Sequence, residues 1–300
     1  MKYGDTLSDR RLGITIRDLG TDEELEEFQR VIKQVWGAED IDVPPKHLLV
    51  SARAHGGLVL GAFEEGGRMV GILFGIPALR DGKVYHYSHM CGVLPERRYQ
   101  GVGYQLKLRQ REFVLGQGLD LVMWTYDPLE TANGHFNLSK LGAICRTYRR
   151  NFYGVMRDSL NAGLESDRFL VEWWVKSRRV VERLQGTAPS FTVGGLLRRG
   201  AARVNATEVS GGMLRPVAHD LGRSEEQLLV EVPDGIQRIK SAAPSLAREW
   251  RMVTREIFEA YFARGYVATE LLRETSEGLH RCFYLIQRGY TSEGVGVGAG

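Results

Sequence analysis

Cysteine is scarce in this chain, and so are long apolar runs and unbroken tracts of basic charge. Three cysteines in 300 residues (Cys91, Cys145, Cys282) show neither paired metal-ligand spacing nor an even disulfide framework. A structural zinc centre and a disulfide scaffold are therefore not expected, and a reducing cytoplasm is the expected setting. No stretch approaches the ~18 consecutive apolar residues of a membrane span, and the N-terminal MKYGDTLSDRR has no apolar signal segment. A net charge of +3, with acids interspersed among the arginines, argues against nucleic acid as a partner. What remains is a soluble globular chain, 43% hydrophobic, long enough for two ordinary domains or for one with a large appendage.

The informative stretch runs from Tyr85 to Asp127. Val84 to Val93 reads as a strand entering Leu94-Pro95. Tyr104 to Gly116 reads as an amphipathic helix, with Leu106, Leu108, Phe113 and Leu115 among its apolar positions. Between them lies Arg98-Tyr99-Gln100-Gly101-Val102-Gly103. A glycine-rich turn from strand into helix leaves backbone N–H groups unpaired at the positive end of the helix dipole, which suits a phosphate. Gly101 and Gly103 allow close approach of an anion, and Arg97 and Arg98 add charge. The turn lacks the Lys-Ser/Thr of a P-loop, and Leu106 stands where a dinucleotide fingerprint has its third glycine.

In chain order, residues 1–13 read as a loose leader. Ile14 to Arg17 is a short strand, and Thr21 caps a helix burying Leu25, Phe28, Val31, Ile32 and Val35, which stops at Gly37. Pro44-Pro45 opens a second, short helix. Leu58 to Phe63 and Met69 to Ile76 form a hairpin, and Arg80 to Lys83 turns into the central strand. After it come the helix, an apolar strand at Leu119 to Trp124, a helix at Glu130 to Leu141, and strands at Ala143 to Tyr153 and Arg168 to Lys176. Residues 177–227 read as a partly ordered connecting region. Residues 228–290 form a smaller α+β part: a strand, a long helix at Pro244 to Arg264, and a last strand pair. Residues 291–300 are a small-residue tail.

The turn matches the acyl-CoA-binding signature Arg/Gln-x-x-Gly-x-Gly/Ala as Arg98-x-x-Gly101-x-Gly103, set after Cys91-Gly92-Val93-Leu94-Pro95. With the element order of residues 14–176, the chain resembles the GNAT superfamily of CoA-dependent N-acyltransferases. The resemblance implies an α/β (α+β) fold with a mixed, mainly antiparallel central sheet flanked by helices. It implies acetyl-CoA or succinyl-CoA as co-substrate and no metal. Arg98, Gln100, Gly101, Val102, Gly103 and Tyr104 would then hold the pyrophosphate, and Cys91, Gly92 and Val93 the pantetheine arm. Asn133 or Asn137 would reach that arm, or would remain helix-start and surface asparagines. Asp127-Pro128-Leu129-Glu130 and Phe136-Asn137 before Leu141-Gly142 are similar to a two-part subgroup linked to amino-acid N-succinylation.

Acyl transfer to an amine needs the donor held, the carbonyl polarised and a proton moved. The resemblance places a base where this chain has Tyr87, and a tyrosine acid where it has Leu138. His89 is the candidate base by its ordinary pKa near 6.5, or else a packed strand histidine, and Tyr148 and Tyr153 are the candidate acids. Tyr87 and Asp127 are candidates for contacting the acceptor, and Asp127 otherwise caps the turn at Pro128. Arg248, Arg251 and Arg255 lie at helical spacing, either as a positive face that clamps a carboxylate through Arg251 and Arg255 or as a solvated surface. His86 and His89 fall on opposite faces of a strand, so with Cys91 they do not form a metal site unless a bulge intervenes. The expected partner is a small amine, an amino acid by resemblance. A CoA-sensing module without activity and a protein or peptide acetyltransferase are the other readings, and a homodimer is left open.

Overall fold

The structure is a computed structural model and describes residues 7–9, 12–156, 158, 160–276 and 278–290. The chain divides into two compact units, with the boundary after Trp124; Asp158 and Leu160 return to the first. The boundary thus falls inside the segment 14–176 that the sequence presents as one domain.

In the first unit, strands β1 (Leu7–Asp9), β2 (Ile14–Asp18), β3 (Leu58–Glu64), β4 (Met69–Arg80) and β5 (Lys83–Val93) form an antiparallel meander. β1 pairs with β2, so residues 7–9 of the expected loose leader are strand. Helix α1 (Asp22–Trp36) begins with a capping box, Thr21 and Glu24 each bonding the other's backbone N–H, and ends at Gly37 in a left-handed conformation. Helix α2 (Lys46–Ala54) follows Pro45. Helix α3 (Val102–Gly116) leads into β6 (Leu121–Tyr126), which runs parallel to β5. The tight β4–β5 turn places Asp81 and Gly82 at positive φ, as a two-residue hairpin demands.

Two glycines show how the helices flank this sheet. A Cβ on Gly71 would touch Val102 and Leu106 of α3, whereas one on Gly92 would strike Val35 and Trp36 of α1. Gly71 pairs with Val93, and successive strand residues alternate faces. Consequently α1 and α3 cover opposite faces. The expected apolar stripe on α3 is only partly right. Leu106, Phe113 and Val114 are buried, but so are Lys107, Arg109 and Gln110, while Leu108 and Leu115 are half-buried.

The second unit contains the short helix α4 (Thr131–Gly134), which widens into a π-helical turn at His135–Lys140 where a plain helix is expected. There follow β7 (Ile144–Arg149), β8 (Arg168–Trp174), α5 (Arg178–Gln185), α6 (Val193–Arg198), β9 (Ala202–Arg203), β10 (Asn205–Ser210) and β11 (Met213–His219). The chain then forms β12 (Gln227–Val232), α7 (Ile236–Ala242), α8 (Pro244–Ala263), β13 (Tyr266–Ser276) and β14 (Leu279–Arg288). Its sheet has the order β8-β7-β13-β14-β12-β9, antiparallel except between β12 and β9.

The expected connecting region 177–227 is ordered, and its reasons are local. Gly211 and Gly212, both at positive φ, close the β10–β11 hairpin. The Asn205 side chain bonds both the N–H and the C=O of Glu231, at 2.8 and 2.9 Å. The unit's core is aromatic: Phe169 lies edge-on to Phe258 at 4.7 Å between ring centroids and to Tyr284 at 5.5 Å, and Trp173 and Trp250 are fully buried. The fold class is the expected one, mixed α/β with mainly antiparallel sheet flanked by helices. No helix among the described residues is long and apolar enough to cross a membrane. The tail 291–300 lies outside the described residues.

Gly75 is a test of packing in the first unit. A Cβ there would lie 2.1 Å from Nε2 of the buried His86. Gly75→Ala should cost about 1–3 kcal/mol by overpacking, seen as a lower urea midpoint at constant slope. His86→Ala in the same background should recover most of the loss, and additive costs for the two changes would remove the contact as the cause.

Candidate active site

Strand β5, the turn after it and α3 form the candidate site, all within the first unit. The turn is built by the protein's own polar groups. Arg98 donates from Nε to the Val93 carbonyl at 3.3 Å and from Nη2 to the Val35 carbonyl at 3.0 Å. Arg97 donates to the Leu12 carbonyl at 3.2 Å, and Gln100 donates to the Glu96 carbonyl at 2.9 Å. These bonds hold Arg97 and Arg98 against the protein's own carbonyls. Carbonyl groups of α1 and β5 hold Arg98 as a clamp that shapes the loop. Tyr99 and Gly101 both take positive φ, and Tyr99 is fully exposed.

The consequence is an open helix start. Gly101 precedes α3 with no side-chain cap, so Val102, Gly103 and Tyr104 begin the helix with N–H groups that have no acceptor within it. The first intrahelical bond runs from the Gln105 N–H to the Gly101 carbonyl. Gly103 has ordinary helical geometry, and a Cβ there would meet only Val93 Cγ2, at 3.7 Å.

β5 supplies the second feature. Its pairing with β6 is confined to His86↔Val122 and Tyr87↔Met123. From Ser88 to Val93 the strand keeps β4 on one side and has no strand partner on the other among the described residues. That free edge carries Cys91, Gly92 and Val93 and runs directly toward the turn. It begins at a bulge: Phe74 faces Met90 and Gly75 faces Ser88, leaving His89 unpaired. A bulge re-aims its side chain. The His89 ring is exposed, edge-on to Phe74 at 5.7 Å, with Tyr87 at 6.3 Å. Partial removal from water lowers its pKa.

Behind the free edge lies a buried polar cluster that the sequence did not announce. Lys107 is 2% exposed; its ammonium donates to Ser88 Oγ at 2.9 Å and to Gln110 Oε1 at 3.1 Å, and stands 3.7 Å from the centre of a Trp124 ring. Burial lowers its pKa to about 8, against a smaller opposing effect of Cys91. His86, fully buried, has neither ring nitrogen hydrogen-bonded; burial and then the Lys107 charge push its pKa down to about 3. The signal was present as Lys107, Arg109 and Gln110 interrupting an apolar stripe, but spacing alone reads such residues as solvated. Among the described residues no group of His, Cys, Asp and Glu is arranged to hold a metal ion.

The remaining candidates belong to the second unit. Asp127 accepts the Leu129 N–H at 2.9 Å, so it caps the turn, and its other oxygen binds Arg251. Arg255 grips Asp167 with Nε and Nη2 at 2.7 and 2.9 Å. The hydroxyl of Tyr148 donates to Asp167 at 2.6 Å, and burial raises its pKa far above that of an ordinary tyrosine. Tyr153 is exposed, and its hydroxyl lies 2.9 Å from Thr125 Oγ1. Asn137 is buried and Asn133 exposed. The expected positive face of α8 does not exist as such, because Arg248 is exposed while Arg251 is fully buried. Asp167 and Arg168, which complete this network, were not singled out in the sequence.

No protein-family model matches the chain, and no curated protein does. Among solved structures, an acetyltransferase of the GNAT family from Streptococcus pneumoniae is 16% identical, with a TM-score of 0.43, covering 53% of this chain and 98% of its own. The ribosomal-protein-S18-alanine N-acetyltransferase of Escherichia coli is 18% identical, with a TM-score of 0.41, covering 54% and 94%. Arabidopsis thaliana Naa50, solved with a bisubstrate analogue of CoA and a peptide, is 15% identical, with a TM-score of 0.41, covering 53% and 96%. At that level of likeness, the functional reading rests on the chain's own residues.

The buried lysine makes its own prediction. The Lys107 pKa is lower folded than unfolded, so the unfolded chain holds that proton more tightly. Its contribution to stability therefore rises with pH between about 8 and the ordinary 10.5. Relative to Lys107→Met, the parent should gain about 3 kcal/mol across that window, measured by urea unfolding at several pH values. His86 has the same sign in a more acidic window. Its stability contribution is lost as pH falls from 6.5 toward 3, about 2 kcal/mol by pH 5, and His86→Phe should lack that loss.

Proposed function

We propose that the chain is an acyl-CoA-dependent N-acyltransferase. The carrying observation is the unpaired edge of β5 from Ser88 to Val93, leading straight to the uncapped start of α3. A strand edge recognises amide groups by backbone hydrogen bonds, and an uncapped helix start recognises phosphate. Pantetheine supplies amides and CoA supplies phosphates, in that linear order along one extended molecule. Cys91, Gly92 and Val93 line the arm; the N–H groups of Val102, Gly103 and Tyr104 meet the pyrophosphate. Arg98 and Gln100 serve indirectly, by fixing the turn that leaves those groups open.

His89 acts as the base. Its lowered pKa keeps it neutral at pH 7, and the bulge turns it outward from the ladder where a substrate amine can reach it. It takes the proton as the nitrogen–carbon bond forms and the carbon–sulfur bond breaks. Of the two candidate acids, Tyr148 is occupied by Asp167. Arg255 is fully engaged by Asp167. Arg251 retains Nε and Nη1 without an acceptor among the described residues, and of the α8 arginines it remains the candidate for a substrate carboxylate, hence an amino acid or a succinyl group. The commitment of Tyr148 also favours a second reading, a module that binds CoA without turnover; release of free CoA over a panel of amines and acyl donors separates the two.

Gly103 tests donor binding cleanly, because its Cβ position is open. Gly103→Ala should bind CoA like the parent, whereas Gly103→Asp places a carboxylate at the anion site and should weaken binding tenfold or more, about 1.4 kcal/mol. Calorimetry with equal affinities for both variants would reject the helix start as the phosphate site. For the base, His89→Ala should lower kcat about 10²-fold and abolish the acidic limb of the pH–rate profile, which lies below pH 6.5. A retained limb would return His89 to a packing role.

A further inference from the structure

We propose that Lys107 is an electrostatic positioning residue for acyl transfer: a fixed positive charge behind the free edge of β5 that favours the negative charge developing on the thioester. This rests on the donor site proposed above.

The argument begins with cost. An ammonium taken out of water without a carboxylate is expensive, and an apolar side chain of similar volume is the cheaper way to fill such a space. Lys107 is 2% exposed, so it does not send its charge to the surface along a flexible stem. Among the described residues no carboxylate makes an ion pair with it; its partners are a hydroxyl, an amide oxygen and an indole face. From β5 the groups facing it are His86, Ser88 and Cys91, from β6 Trp124, and on α3 itself Gln110. His86 is neutral at any working pH, so the cluster carries one uncompensated charge.

That charge is held rigidly and in the right place. The Ser88 hydroxyl anchors the ammonium to the first residue of the unpaired edge, beside the His89 bulge. Gln110, three residues along α3, fixes it from the other side. In the proposed reaction the amine nitrogen bonds to the acyl carbon, the carbon–sulfur bond breaks, and the electron pair leaves on sulfur as the CoA thiolate. Negative charge thus builds on the carbonyl oxygen and then on sulfur, while Lys107 keeps its proton throughout. A cation preorganised in a dry interior acts more strongly on such charge than one in water.

The test uses the full chain. First, calorimetry with CoA on the parent protein checks the donor site; failure to bind takes down both readings together. Given binding, 13C-lysine NMR follows the Lys107 titration in free protein, with CoA and with desulfo-CoA. CoA should move that titration to higher pH by more than desulfo-CoA, which brings the same phosphates but cannot form a thiolate. Identical titrations with both ligands overturn the proposal, and this measurement needs no variant to fold. Second, the parent's kcat should fall as pH rises through the Lys107 titration near 8. Lys107→Met, if folded, should lower kcat tenfold or more, weaken CoA more than desulfo-CoA, and lose that basic limb. A folded Lys107→Met protein with parental kcat and an intact limb reduces Lys107 to packing.

Discussion

The first unit depends on how briefly β5 and β6 stay together. Two residue pairs, His86↔Val122 and Tyr87↔Met123, hold the parallel register, and then the strands lose contact. Backbone groups of a strand cannot be left buried without partners, so an interior strand that ends its pairing early creates an edge that solvent or a ligand must complete. The bulge at His89 falls at that point. It increases local twist and shifts the strand by one residue, so that Ser88 and Cys91 both face α3 although they are an odd number of residues apart. One irregularity thus opens the edge, turns His89 outward and packs Lys107 inward.

The second unit solves a different problem, the burial of charge. Asp127, Asp167, Arg251 and Arg255 are joined in direct ion pairs, with Arg168 3.9 Å from Asp127 and Tyr148 bonded to Asp167. Elsewhere Glu270 binds Arg179 and Arg183, and Glu231 receives both Arg281 and Thr207. Such pairs contribute little net stability against apolar substitutes, but removing one partner strands the other. Their effect is to fix which loops meet which helices: Asp127 and Asp167 lie outside the strands, and α8 reads their positions through two arginines one turn apart. This contrast sharpens the meaning of Lys107. Among the described residues the three buried arginines, Arg109, Arg168 and Arg251, each have an acid within ion-pair distance, whereas Lys107 has none.

Much of the first unit was legible because its signals are local. Thr21 with Glu24, the Gly37 stop, the Asp81-Gly82 turn and the Arg98-x-x-Gly101-x-Gly103 motif each act within a few residues, and each appears where spacing places it. The reach of Arg98 to Val35, 63 residues away, was not legible, since no local pattern distinguishes a clamp from a phosphate ligand. The same holds for α8. Helical spacing groups Arg248, Arg251 and Arg255, but only tertiary packing decides that Arg251 is buried and Arg248 is not. In residues 177–227, glycine and serine suggested a linker, yet Gly211-Gly212 is a hairpin turn and Asn205 a ladder substitute for Glu231. Turn chemistry and linker chemistry share a composition.

The polar cluster under β5 carries this reasoning one step further. Buried His86 and buried Lys107 both pay for desolvation, but they respond in opposite ways at neutral pH. His86, with the lower ordinary pKa, gives up its proton entirely; Lys107, starting higher, keeps it. Had both residues been histidines the site would be uncharged, and had both been lysines their repulsion would be severe. Gly75 makes room for the imidazole, and Trp124 offers the ammonium an indole face in place of water. The result is a single positive charge in a low-dielectric layer, adjacent to a strand edge that has no partner of its own. A fold selected for stability alone has no use for that combination, whereas one that must stabilise a transient anion beside β5 does.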